Sequence, residues 1–149
     1  MEYRLTSEQV LFRDTTRDFL EKEAPLTKAR ELAKGPVGFD PAWWRRGAEL
    51  GWTSMLVAPA MGGDSISGSG LLDMAIVAEE MGRLVSPGPL VPVNVVASAL
   101  SEASTAEQHT DVIEALMSGE GVATWAVYEP GHGWDTRRVR LMDPSRHAP

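Results

Sequence analysis

The chain contains no cysteine, which excludes disulfides, thiolate catalysis and cysteine-ligated zinc or iron–sulfur sites. Its three histidines, His109, His132 and His147, are scattered, with no metal-ligand spacing between them. Long apolar runs are also missing. Proline, glycine or a charge interrupts each stretch well before the ~20 residues that cross a bilayer, so no membrane partner is expected. Met1-Glu2-Tyr3-Arg4 leads straight into a polar, charged helix with no apolar leader, so the expected location is cytoplasmic. Basic residues are scarce over most of the length: residues 1–136 hold 10 against 20 acidic, a balance of −10. An acidic body argues against nucleic acid as a partner, because neutralising phosphates needs clustered lysine and arginine. The balance reverses in residues 137–149, where Arg137, Arg138, Arg140 and Arg146 face one acid, Asp143. With Pro144 and Pro149 and no apolar period, residues 136–149 are expected to be a disordered tail.

What is present suits a soluble globular protein: 149 residues, 43% apolar and 23% charged. A compact chain of that length buries about 70% of its unfolded surface, enough for one ordinary domain. Thr6-Ser7-Glu8-Gln9 reads as a capping box opening a first helix. Leu11, Phe12, Thr15, Phe19 and Leu20 form its expected inner stripe, with Arg13, Asp14, Arg17, Asp18 and Glu21 outward. Pro25 ends or kinks it, residues 26–34 can continue as helix, and Gly35-Pro36-Val37-Gly38 is a loop. Asp40-Pro41 opens the next helix with a cap and an N1 proline, and Gly51 sits where a terminating glycine belongs. Trp43, Trp44, Leu50 and Trp52 supply a large apolar area, expected as core or interdomain packing. After a glycine- and serine-rich loop from Pro59 to Gly70, Leu71 to Met81 is apolar nearly all round except for Asp73 and Glu79-Glu80. That helix is expected at the buried centre of a bundle. Ser86-Pro87-Gly88-Pro89 breaks the chain, and Val93 to Leu100 reads as helix, though its valines would also suit a strand. Thr105-Ala106-Glu107-Gln108 repeats the capping-box pattern ahead of Val112, Ile113, Leu116 and Met117, and Gly119 closes that helix.

Then the character changes. Gly121 to Glu129 is β-branched and aromatic, a strand by pattern. A lone strand has unpaired amides and carbonyls that invite another chain. The expected architecture is all-α: an up-and-down bundle of about five helices with a short β segment at its C-terminal end. The expected division is a helical domain over 1–119, the incomplete start of a β domain over 120–135, and the tail.

Three segments carry a family likeness. The first is Phe39 to Pro59, with Glu49-Leu50-Gly51-Trp52 and Met55-Leu56-Val57-Ala58-Pro59. The second is Gly62-Gly63, with Asp73 ten residues on and then Glu79-Glu80-Met81-Gly82-Arg83. The third is Trp125 to Asp135. Together with the opening helix, residues 5–135 resemble the N-terminal helical domain of the acyl-CoA dehydrogenases and the first strand of their middle β domain. The resemblance implies FAD as cofactor, an acyl-CoA thioester as substrate, and homo- or hetero-oligomers of dehydrogenase subunits. The implied reaction is α,β-desaturation: a carboxylate takes the α-proton while the β-hydrogen leaves as hydride to the flavin. In the family that base comes from a C-terminal helical domain, so no catalytic residue is assigned in this chain.

The resemblance also implies that Trp125, Val127 and Tyr128 lie along the flavin ring, with Gly133 and Trp134 near flavin and thioester. Tyr128 stands where the family usually has threonine, and Trp134 where it has serine. Two bulky aromatics there would either block the flavin or reshape a wide substrate pocket. Other signals have plainer readings. Glu79 and Glu80 suit a solvated or Arg83-paired helix surface. Gly62-Gly63 lacks a nucleotide-loop register and reads as a turn, and Ser65, Ser67 and Ser69 have no adjacent base. The chain is therefore expected to be the truncated front of an acyl-CoA dehydrogenase, inactive alone. The alternatives are a non-catalytic helical partner that docks on a full-length relative and a free-standing helical module.

Overall fold

A computed structural model describes residues 4–36, 38–103 and 105–125. Among them are six α-helices: α1 Ser7–Glu23, α2 Leu26–Leu32, α3 Pro41–Glu49, α4 Gly70–Arg83, α5 Leu90–Ser101 and α6 Thr110–Met117. One-turn 3₁₀ segments lie at Pro59–Met61 and Ala106–His109. The all-α expectation holds, with the short α2 standing as a separate helix after Pro25. Residues 121–125 are in neither helix nor strand, and residues 126–129 of the expected strand lie outside the described residues.

The local signals act as their chemistry dictates. The Thr6 hydroxyl accepts from the Gln9 amide at 3.2 Å, and the Gln9 carboxamide oxygen accepts from the Thr6 amide at 3.0 Å, closing the capping box. Asp40 caps α3 through the amides of Ala42 and Trp43, with Pro41 behind it. Gly51 and Gly119 take φ values of 89° and 72°, which cost an L side chain about 1–2 kcal/mol. The second expected capping box does not form. Thr105 is not extended, its hydroxyl lies 3.4 Å from His109 Nε2, and α6 begins only at Thr110.

Helices α1 and α4 lie side by side and run the same way. Gln9 meets Asp73, Arg17 meets Glu80 and Glu21 meets Arg83, so the pairings advance together along both helices. Behind them sits an aromatic core. Trp43, Trp44 and Trp52 are buried, with Trp43 and Trp52 edge-on at 5.7 Å and Phe19 edge-on to Trp52 at 5.4 Å. Such edge contacts add about 0.5–1.5 kcal/mol each beyond area burial. Gly47 permits the approach, since a Cβ there would fall on the Trp52 ring. The Trp52 indole N–H donates to Thr16 Oγ1 at 3.3 Å. Asn94 on α5 donates to the Trp52 carbonyl at 2.7 Å, which ties α5 to the same core.

Two expected inner faces are turned. Leu11 and Leu71 are each 69% exposed. On α1 the buried positions are Gln9, Phe12, Thr16 and Leu20, spaced for one helical face. Polar Gln9 and Thr16 take the places expected of Leu11 and Thr15 because Asp73 and Trp52 offer them partners. Arg17, expected outward, reaches across to α4. Glu80 is not surface: it is 2% exposed, whereas Glu79 is exposed as expected. Asp73 is fully buried.

Candidate functional site

The expected flavin contacts follow the exit from α6. Thr53 Oγ1 donates to the Met117 carbonyl at 2.6 Å and the Gly121 amide to the Ala115 carbonyl at 2.7 Å. A Cβ on Gly119 would press on Ala48 and on the Arg45 backbone at 3.0 Å, so α3 and the segment after it fix where the chain leaves. Ala123 packs on the core, while Val122 and Trp125 are 54% and 58% exposed. Trp125 thus offers a planar apolar face suited to stacking on a ring system. Val127, Tyr128, Gly133 and Trp134 lie outside the described residues.

The other polar concentration was missed by sequence reasoning. Asp73 accepts from Ser65 Oγ at 2.7 Å, Ser67 Oγ at 2.6 Å, the Ser67 amide at 3.0 Å and Gln9 Nε2 at 3.4 Å. Burial alone would push this carboxyl up, but the donors from Ser67, Ser65 and Gln9 together outweigh it and hold it below the ordinary range. The carboxylate sits among the donors of the glycine-rich loop where an anion would have to sit, so the loop is no phosphate cradle. Its glycines serve close packing: a Cβ on Gly63 would fall on the Val57 carbonyl, and one on Gly70 on the Met55 carbonyl. A cleft of about 490 Å³ opens beside the loop, lined by Met55, Val57, Pro59, Asp64, Ser98 and Glu102 among others.

Seven residues along α4, Glu80 accepts two bonds from Arg17, at 2.6 and 3.0 Å, and one from Arg83 at 3.0 Å. The Arg17 bonds hold its carboxyl below the usual range; burial opposes and Arg83 adds to the lowering. A general base needs an accessible lone pair and a pKa near the working pH. Asp73 and Glu80 have neither. Their signal in the sequence was spacing: residues seven apart share a helix face with Ile76, Val77 and Met81, which marks them as buried and paired. Among the described residues no group of three or more His, Asp or Glu side chains could hold a metal. None of their helices is long and apolar enough to cross a membrane.

Comparison with known proteins agrees with this architecture. Residues 6–120 match the model of the acyl-CoA dehydrogenase N-terminal domain, a helical unit coextensive with α1 to α6. The chain therefore belongs to the acyl-CoA dehydrogenase family. Acyl-CoA dehydrogenase IpdE2 of Mycolicibacterium smegmatis is 29% identical over 127 residues, covering 85% of this chain and 38% of that protein. IpdE2 of Mycobacterium tuberculosis is 28% identical over 116 residues, covering 77% and 35%. A variant of the Tcur3481-Tcur3483 steroid ACAD superposes with a TM-score of 0.71 at 30% identity, covering 84% of this chain and 34% of that one. The chain spans little more than a third of the length of these relatives.

Proposed function

We propose that this chain is the N-terminal helical part of an FAD-dependent acyl-CoA dehydrogenase that desaturates a steroid-derived acyl-CoA thioester, and that it is inactive alone. The family match over residues 6–120 carries the reading, and a structural neighbour described as a steroid ACAD supports the substrate class. The bound flavin would supply the hydride acceptor. On this reading the described residues supply only part of a flavin site. Trp125 is the sole flavin contact assigned among them, and the glycine-rich loop already holds a carboxylate among its donors. The chain's own contribution is to set the exit of α6 towards the segment expected to meet the flavin, through Thr53, Gly119 and Ala48.

The test is direct. Purified chain titrated with FAD should leave flavin fluorescence unquenched, and an acyl-CoA with an artificial electron acceptor should give no steady reduction. Turnover by the chain alone would overturn the reading. A second reading, a non-catalytic helical partner docking on a full-length dehydrogenase, draws on the exposed Val112, Val122 and Trp125 near the end of the helical domain. A stoichiometric complex after co-expression with such a subunit would favour it.

A further inference from the structure

The α4–α5 connection contains the one positive-φ non-glycine among the described residues, Val85 at 54°. Glycine is the ordinary occupant of such a helix-ending position. Two backbone bonds hold Val85 there: its amide to the Gly82 carbonyl at 3.2 Å, and the Ser86 amide to the Met81 carbonyl at 2.9 Å. The side chain gains no burial from this strain, because it is 65% exposed. Instead it walls a cleft of about 300 Å³ whose other sides are Leu26 and Ala29 from α2, Ala33 at the end of that helix, and Pro87. The one charged residue in the lining is Arg30. Lys28, two residues earlier, is engaged by Asp40 at 2.8 Å. The Arg30 side chain is exposed and has no hydrogen bond or ion pair among the described residues.

Aliphatic walls with one uncommitted permanent cation match an aliphatic chain that ends in an anion. A guanidinium binds a carboxylate through paired N–H donors. The volume lies at the lower end for ligand sites, which suits one unbranched chain of medium length. A docked protein would need roughly 800 Å² per partner, more than the seven residues lining this cleft present. We propose that the cleft between helix α2 and Val85 binds a free medium-chain aliphatic carboxylate, its chain along Leu26, Ala29, Ala33 and Val85 and its carboxylate on Arg30. The proposal goes beyond the dehydrogenase reading and uses none of the residues which that reading assigns to the flavin.

Titration calorimetry of the whole chain with decanoate, below its micelle concentration, tests it. The expected result is saturable binding at one site. Arg30→Gln should weaken it about tenfold, and Ala33→Trp, at the exposed end of α2, should abolish it. Val85→Gly should weaken it severalfold while raising the melting temperature, which separates loss of the wall from loss of the fold. Thermal melts of the other two variants should match the parent. No saturable heat with the parent chain would overturn the proposal, and so would equal binding of decanol, or binding unchanged in both Arg30→Gln and Ala33→Trp. Self-association that Ala33→Trp removes, with no response to decanoate, would assign the cleft to protein and overturn it too. Flavin quenching and turnover are measured separately, so failure here leaves the dehydrogenase reading standing.

Discussion

Glu80 shows how one side chain can decide the fit of two helices. Its carboxylate is 2% exposed and receives three charge-assisted bonds, from Arg17 on α1 and Arg83 on its own helix. Glu80→Gln keeps the shape but removes the charge that both guanidiniums face, and its amide N–H₂ then points a donor at donors. Hydrogen bonds to charged groups contribute about 1.5–3 kcal/mol. Arg17 and Arg83 remain partly in water, 37% and 43% exposed, so the lower part of that range applies. The expected loss is about 2 kcal/mol in a urea melt. A loss under about 0.5 kcal/mol would mean that solvent already screens both arginines.

At the scale of elements, α1 and α4 are joined by two buried carboxylates that both titrate below their ordinary range, Asp73 and Glu80. Glu23 and Asp40, which tie α1 to α3 and α2 to α3, are lowered as well, by Arg46 and Lys28 first. A carboxyl whose pKa is lower in the folded state contributes stability above its unfolded value, about 4 for Asp and Glu. That contribution fades as pH falls through the folded value, because the unfolded chain takes up protons first. Urea midpoints should therefore be flat from pH 7 to about 5.5 and fall steadily below about pH 4.5. A flat profile down to about pH 3 would show that these carboxylates gain nothing on folding. The helix ends here were legible because their signals are local: Thr6 with Gln9, Asp40 with Pro41, Gly51 and Gly119 need only their own neighbours. The rotation of α1 was not legible, since Gln9 and Thr16 turn inward only because Asp73 and Trp52, far along the chain, present partners. Thr105 shows the opposite failure, a pattern without a helix to cap. Of the candidate site, Trp125 was placed by family likeness, while the spacing of Asp73 with Ile76, Val77 and Met81 marked it as buried but could not name its partners Gln9, Ser65 and Ser67, two of them on a loop without periodicity.

For the whole molecule the question is what the surface around Val122 and Trp125 meets. The matched region is little more than a third of each relative's length, and the described chain ends with Val122 and Trp125 more than half exposed. A contiguous exposed apolar patch marks an interaction surface, whereas single exposed apolar side chains are ordinary. The three core tryptophans cannot report on it, since Trp43, Trp44 and Trp52 are at most 4% exposed. Trp125 can. The isolated chain should bind anilinonaphthalene sulfonate under native conditions, and Val122→Asp with Trp125→Asp should cut dye emission by at least half at an unchanged melting temperature. The same pair placed at Leu11 and Leu71, exposed leucines of α1 and α4, should change it far less. If both pairs lower the signal equally, the dye reports scattered surface leucines and valines rather than a face left for another domain or subunit. If only the Val122 and Trp125 pair matters, the segment fixed by Thr53 and Gly119 is where the helical unit meets what covers it.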